Sequence, residues 1–174
     1  MKIYTIGHST RPIADFISLL KQNHITTLVD VRSIPHSKFN PQYNKNQLSD
    51  SLKASGITYI HIPGLGGFRT PAPNSVNTAW INKRFQAYAD YMQTKLFQKN
   101  LSLLITLAKP PSQTIAIMCS EAVPWRCHRS LISDALTIRN IKVYDIISIN
   151  KPSKHNLTSF AVVKNKKITY PYTN

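Results

Sequence analysis

Five short apolar runs recur along the chain: KIYTI (2–6), TTLVDV (26–31), ITYIHI (57–62), TIAIM (114–118) and IKVYDII (141–147). Each is strand-length, and the segments between them carry a helical period instead. After Pro12, residues Ile13, Phe16, Ile17 and Leu20 share one helix face; Leu48 and Leu52 share another, ahead of Gly56 at a C′ position. Ile81, Phe85, Tyr88, Met92 and Leu96 predict one long helix, and Leu101–Ala108 a further one stopped by Pro110-Pro111. Pro124 marks the start of a helix with Leu131, Ile132, Ala135 and Leu136 inward.

Strands alternating with helices require right-handed crossovers and a mostly parallel sheet. The expected fold is therefore α/β, a Rossmann-like three-layer domain with five strands in the order 3-2-1-4-5. Its switch point lies between the first and fourth strands. Residues 1–150 form this domain, and 151–174 a lysine-rich C-terminal extension. Phe160–Val163 and Lys167–Tyr170 are set to pair as a hairpin around Asn165-Lys166. With 42% hydrophobic and 17% charged residues, the chain has material for a core and too little charge for a disordered one.

Ligands of such sheets bind at the carboxyl ends of the strands beside the switch point. Gly7-His8-Ser9, Asp30-Val31-Arg32, His61 through Arg69, and Cys119-Ser120-Glu121 all follow strands and converge on that edge. Glu121 is the only glutamate in the chain, and four of its five glycines lie in these segments. The convergence predicts a binding site.

Thr5-Ile6-Gly7-His8-Ser9, Asp30-Val31-Arg32, Leu65-Gly66-Gly67 and above all Cys119-x-Glu121-x-x-Pro124-x-x-Cys127-His128-Arg129 resemble the domain-of-unknown-function 488 family. The resemblance covers roughly residues 1–147. Tyr144-Asp145 departs from it, standing where His-Ile is expected. It implies a Rossmann-like fold in a soluble prokaryotic protein and carries no established activity.

The residues themselves admit several chemistries. Glu121, lying among His8, Arg32, Arg126 and Arg129, suits a general acid or base, or an ion pair that fixes its loop. Asp30 beside Arg32 has the same two readings. His8 suits a proton shuttle or an orienting group. A helix starting near Pro124, with Arg126 and Arg129, is expected to lower the pKa of Cys119 toward a nucleophile, although a strand-end cysteine also serves as a small buried hydrophobe. The Cys-x5-Arg spacing of a phosphatase loop is absent, since position 125 is Trp. Cys119, Cys127 and His128, with His8, have zinc-ligand chemistry. Their Cys-x7-Cys spacing departs from the usual Cys-x2–4-Cys, so no metal ligand is assigned, and no cofactor is named. Cys127 packed under the helix and His128 bonded across the sheet edge is the structural alternative.

For an anion, Ser9, Gly66, Gly67 and the amides of Pro124–Arg126 offer close backbone approach, and Arg32, Arg69 and Arg129 bidentate donors. Gly66-Gly67 is not a dinucleotide fingerprint. Trp125 is expected to line the site, and Trp80 to be core. Phe39 and Tyr43, interleaved with Arg32, His36 and Lys38, suit either base stacking or a lid.

Lys and Arg number 22 against 7 acids, a net charge of +15, and no acid follows Asp145. That field attracts polyanions and also serves solubility alone. Two cysteines cannot build a disulfide framework, the first residues lack a signal-peptide run and no apolar stretch spans a bilayer, so a cytoplasmic protein without membrane contact is expected. The expected function is an enzyme or ligand pocket for an anionic, nucleotide- or nucleic-acid-derived substrate. The alternative is a non-catalytic nucleic-acid-binding module. Oligomeric state is not legible.

Overall fold

A computed structural model describes residues 1–173. The chain runs β1 (Lys2–Gly7), α1 (Ile13–Gln22), β2 (Thr27–Asp30), α2 (Lys45–Ala54), β3 (Thr58–His61), α3 (Lys83–Tyr91), α4 (Lys95–Leu107), β4 (Ile115–Cys119), α5 (Arg129–Thr137) and β5 (Lys142–Ile146). Three short strands follow: β6 (Ser153–Lys154), β7 (Val162–Lys164) and β8 (Lys167–Thr169). β1 to β5 pair in parallel, and β6 adds an antiparallel edge beside β5.

The sheet order is β3-β2-β4-β1-β5-β6, which corrects the expected 3-2-1-4-5. β4 inserts between β2 and β1, and polar side chains fix it there. Thr26 and Thr27 donate from Oγ1 to Gln113 Oε1 at 3.0 and 2.7 Å, and the Thr114 amide donates to Thr26 Oγ1 at 2.9 Å. Strand periodicity records which face a residue takes, not which strand lies alongside. β1 and β4 are still neighbours, and their exits lead in opposite directions across the sheet. The switch point is therefore between the first and fourth strands.

Alternation along each strand splits the core in two. Ile6, Leu28, Ala116 and Met118 pack with Phe16, Leu20, Leu48 and Leu52 of α1 and α2. Ile3, Val29, Ile117 and Cys119 face the other way, onto Tyr88, Phe97, Leu104, Leu131 and Leu136 of α3 to α5. Gly56 takes φ 75 as the C′ residue of α2. The helix expected over 81–96 is two helices. Thr94 Oγ1 accepts from the Phe97 amide and starts α4 afresh, which leaves Leu96 54% and Ile81 95% exposed rather than in the core.

The segment 151–174 is packed on the domain through the residues described. Ile168 and Tyr170 are buried with α3 and α5. Trp80 stacks on Phe85 and meets Phe160 and Tyr170 edge-on, half-buried against the core rather than within it. Asp134, fully buried on α5, accepts from Tyr170 Oη and His155 Nε2, both at 2.8 Å, and from the Thr158 amide at 3.1 Å. β7 and β8 form the hairpin, with Asn165 and Lys166 both at positive φ as a two-residue turn requires. Lys151, Lys154, Lys164, Lys166 and Lys167 are all exposed.

Candidate functional site: the cleft at the switch point

The exits of β1 and β4 are pressed together. A Cβ on Gly7 would overlap the Glu121 carbonyl oxygen, so only glycine permits the approach. Beyond the strands the pairing continues: the His8 amide donates to the Cys119 carbonyl (3.0 Å) and the Ser9 amide to that of Ser120 (2.8 Å). Ser9 completes the turn at φ 49.

On the α1 side of the sheet, Asp30 and Arg32 form a buried pair. Arg32 Nε bonds both carboxylate oxygens at 3.0 and 3.1 Å, and Nη2 bonds Oδ2 at 2.6 Å and the Tyr43 carbonyl at 2.7 Å. Tyr59 Oη adds a bond to Asp30 at 2.8 Å. Arg32 Nη1 faces His8 Nε2 at 3.3 Å, while His8 Nδ1 lies 2.7 Å from the Ser9 carbonyl and its ring stacks on Tyr43. These partners assign the proton to Nδ1. Burial pushes the His8 pKa down to about 4, against the Ser9 hydrogen bond and with help from the Arg32 charge. His8 is thus a neutral, doubly held ring suited to orienting its neighbours.

On the α5 side, Cys119 leaves β4, and the chain returns through a 3-10 turn, Pro124–Arg126, to Cys127 and His128. The helix expected from Pro124 begins only at Arg129, because Cys127 and Val123 are extended on either side of that turn. Helix-start amides at Pro124–Arg126 are therefore not available to an anion. Cys119 Sγ lies 3.9 Å and Cys127 Sγ 3.7 Å from His128 Nδ1. Arg129 Nε donates to Cys127 Sγ at 3.4 Å.

The thiol expectation reverses here. Cys119, hydrogen-bonded to Cys127 and then penalised by burial, is pushed up to about 12. Burial raises Cys127 too, but the Cys119 hydrogen bond and the Arg129 charge outweigh it and bring Cys127 down to about 6. Of the two thiols, Cys127, held by Arg129, is the one favoured as thiolate, and Cys119 is disfavoured.

A cleft of about 740 Å³ opens where these two halves meet. Its lining includes His8, Ser9, Arg32, Ser33, His36, Gly67, Phe68, Arg84, Phe85, Cys119, Ser120, Glu121, Arg126, Cys127 and His128. Glu121 is the only acid on this wall among the described residues, and it has no ion-pair partner among them. The pairs weighed for it form otherwise: Arg32 holds Asp30, and Arg129 Nη2 donates to the Glu121 main-chain carbonyl at 2.6 Å.

Several expected residues lie off the cleft. Arg129 is 1% exposed and its remaining donor reaches Thr5 Oγ1 at 3.0 Å, so it braces the loop from behind. Arg69 bonds the carbonyls of Gly66 and Gly64 and stacks on Tyr91. Asp30 is sealed beneath Arg32. Gly66 packs on Ser33, whereas Gly67 does line the cleft, where a Cβ on it would sit 2.7 Å from His128 Nδ1. Trp125 is 64% exposed and does not line the cleft. Tyr43 is buried and Phe39 88% exposed, so they do not act as a pair. Arg84 and Phe85, at the start of α3, were missed. Only the Asn82 cap of that helix marks the place in sequence, and nothing there signals the fold-back.

Fold and cleft define a three-layer α/β protein whose ligand-sized opening lies at the switch point of its sheet. The chain belongs to a particular family of that class: the family model described as "Domain of unknown function DUF488" matches residues 12–136. No curated protein and no solved structure matches the chain. No helix among the described residues is long and apolar enough to cross a membrane.

Proposed function

We propose that the switch-point cleft binds and chemically processes a phosphate-bearing substrate, a nucleotide or a nucleic-acid-derived fragment. The observation that carries this reading is the composition of the wall. One unpaired carboxylate, Glu121, stands among Arg84, Arg126 and three histidines, with Phe68 and Phe85 beside them. The volume falls within the usual range of small-molecule sites, roughly 300–1,000 Å³. Arg84 and Arg126 are the cations for a phosphate, Phe68 and Phe85 offer apolar faces for a base, and Glu121 is the general acid or base. His8 and the Asp30–Arg32 pair hold the floor rigid.

Incubation with a set of nucleotides and short single-stranded oligonucleotides, with products read by mass spectrometry, tests the reading. Glu121→Gln should retain binding and lose turnover. Equal turnover by wild type and Glu121→Gln would remove Glu121 from the chemistry.

The five exposed C-terminal lysines favour a second reading, a nucleic-acid-binding module without catalysis. Duplex affinity that falls steeply with salt, is unchanged by Glu121→Gln, and drops when Lys164, Lys166 and Lys167 become Gln would favour it.

A further inference from the structure

We infer that Cys119, Cys127 and His128 form a three-ligand site for a thiophilic divalent metal, zinc in the first instance, with its fourth position facing the cleft. The inference rests on ligand geometry and is independent of the nucleotide reading.

The three donor atoms, two Sγ and one Nδ1, lie within 4.8 Å of one another. Zinc–sulfur bonds of about 2.3 Å and zinc–nitrogen bonds of about 2.0–2.1 Å at tetrahedral angles put sulfur and nitrogen about 3.6 Å apart. The two sulfur–nitrogen separations are 3.7 and 3.9 Å. The two sulfurs, within 4.8 Å of each other, would stand about 3.8 Å apart on a tetrahedral ion, so a contraction of up to about 1 Å brings all three donors onto it.

The surroundings fit as well. His128 Nε2 lies 3.2 Å from the Val31 carbonyl. Donation there places the proton on Nε2 and leaves the Nδ1 lone pair facing the sulfurs, the outer-shell arrangement that orients metal-bound histidines. Arg129 Nε, donating to Cys127 Sγ, supports a thiolate there. Gly67 lets its strand-exit loop lie against the ring and fix its plane.

The unusual Cys-x7-Cys spacing has a structural cause. A compact zinc knuckle needs both cysteines in one turn. Here one cysteine ends β4, and the 3-10 turn Pro124–Arg126 carries the chain back to the other. His8 is not a fourth ligand, because Ser9 and Arg32 take both its nitrogens. All three candidate ligands line the cleft, so water or a substrate atom would complete the coordination from that side, as in open zinc sites. Two sulfurs and one nitrogen favour zinc over the harder, oxygen-seeking ions.

The test is metal content by mass spectrometry on protein purified without chelator, then cobalt(II) titration of the metal-depleted wild type. The site predicts one equivalent of zinc per chain. Cobalt should give intense tetrahedral d–d absorption and a thiolate charge-transfer band, both displaced by zinc. Cys119→Ser, Cys127→Ser and His128→Gln should each weaken binding by more than the roughly 10–100-fold that an outer-shell loss produces. His24→Gln, away from the cleft, should leave it unchanged. Zinc should also protect both cysteines of the folded wild type from alkylation, a readout needing no variant. Weak octahedral cobalt spectra, or equal alkylation with and without zinc, would overturn the site. So would isolation of the pair as a disulfide that zinc does not prevent.

Discussion

Raising the pH above neutrality should destabilise this protein through one side chain, His155. Its Nε2 lies 2.8 Å from Asp134 and its Nδ1 3.8 Å from Asp145, and the side chain is 8% exposed. Burial alone would lower its pKa. The hydrogen bond to Asp134 and the nearby Asp145 carboxylate, with the charges of both, override that and raise it from 6.5 to about 9. The folded state thus holds this proton more tightly than the unfolded state does. The stabilisation is full below pH 6.5, declines as pH rises and is gone above about 9. A shift from 6.5 to about 9 corresponds to at most about 3 kcal/mol, and solvent screening at the edge of the C-terminal segment reduces it to roughly 1–2 kcal/mol. For a domain of this size each kcal/mol moves Tm by about 2–4 °C. Urea midpoints measured from pH 6 to 9.5 on wild type and His155→Gln check it. Glutamine can still donate to Asp134 and does not titrate. The gap between the two proteins should close as pH rises. Parallel curves would refute the reasoning that His155 holds its proton against Asp134.

Other outcomes follow from single contacts. Gly7→Ala forces the β1 and β4 exits apart, backbone against backbone, and should cost at least about 2 kcal/mol in urea unfolding, more than Gly56→Asn, where the added side chain meets open space and asparagine tolerates the positive φ. Asp30→Asn leaves Arg32 buried without its counter-charge and should cost about 3–5 kcal/mol; Asp30→Asn with Arg32→Met should recover most of it. Trp125→Ala, at an exposed turn, should change stability by no more than about 0.5 kcal/mol and leave binding in the cleft untouched, both readable by thermal unfolding with and without ligand.

How much was legible follows from what each signal encodes. Two-residue and 3.6-residue periods report local faces, and they located all five parallel strands and the helices of both layers. The order of the strands depends on partners far apart in sequence, such as Thr26, Thr27 and Gln113, which carry no local signature. The long-helix expectation failed because Ile81 and Leu96 continue an apolar period across a break that the Thr94 cap imposes. At the cleft, the strand-exit rule gathered His8, Arg32, Cys119 and Glu121 to the edge where the cleft opens. It could not say which arginines face solvent. Arg129 shares its motif with Glu121 yet points beneath the loop, while Arg84 arrives from α3 through tertiary folding alone. Likewise, the lysine count of the last segment concealed Ile168 and Tyr170, two apolar anchors that hold it to the core.

The central claim is that the cleft is a specific anion site, and a thermal-shift series tests it most directly. Inorganic phosphate, nucleotides and single-stranded oligonucleotides would be added at low and high salt to wild type, Arg84→Ala and Arg126→Ala. A ligand at 100 times its Kd adds about 2.7 kcal/mol, or roughly 5–10 °C here. The account predicts a saturable nucleotide shift that persists at high salt and shrinks in both arginine variants. Shifts from oligonucleotides alone, erased by salt and identical in all three proteins, would contradict it.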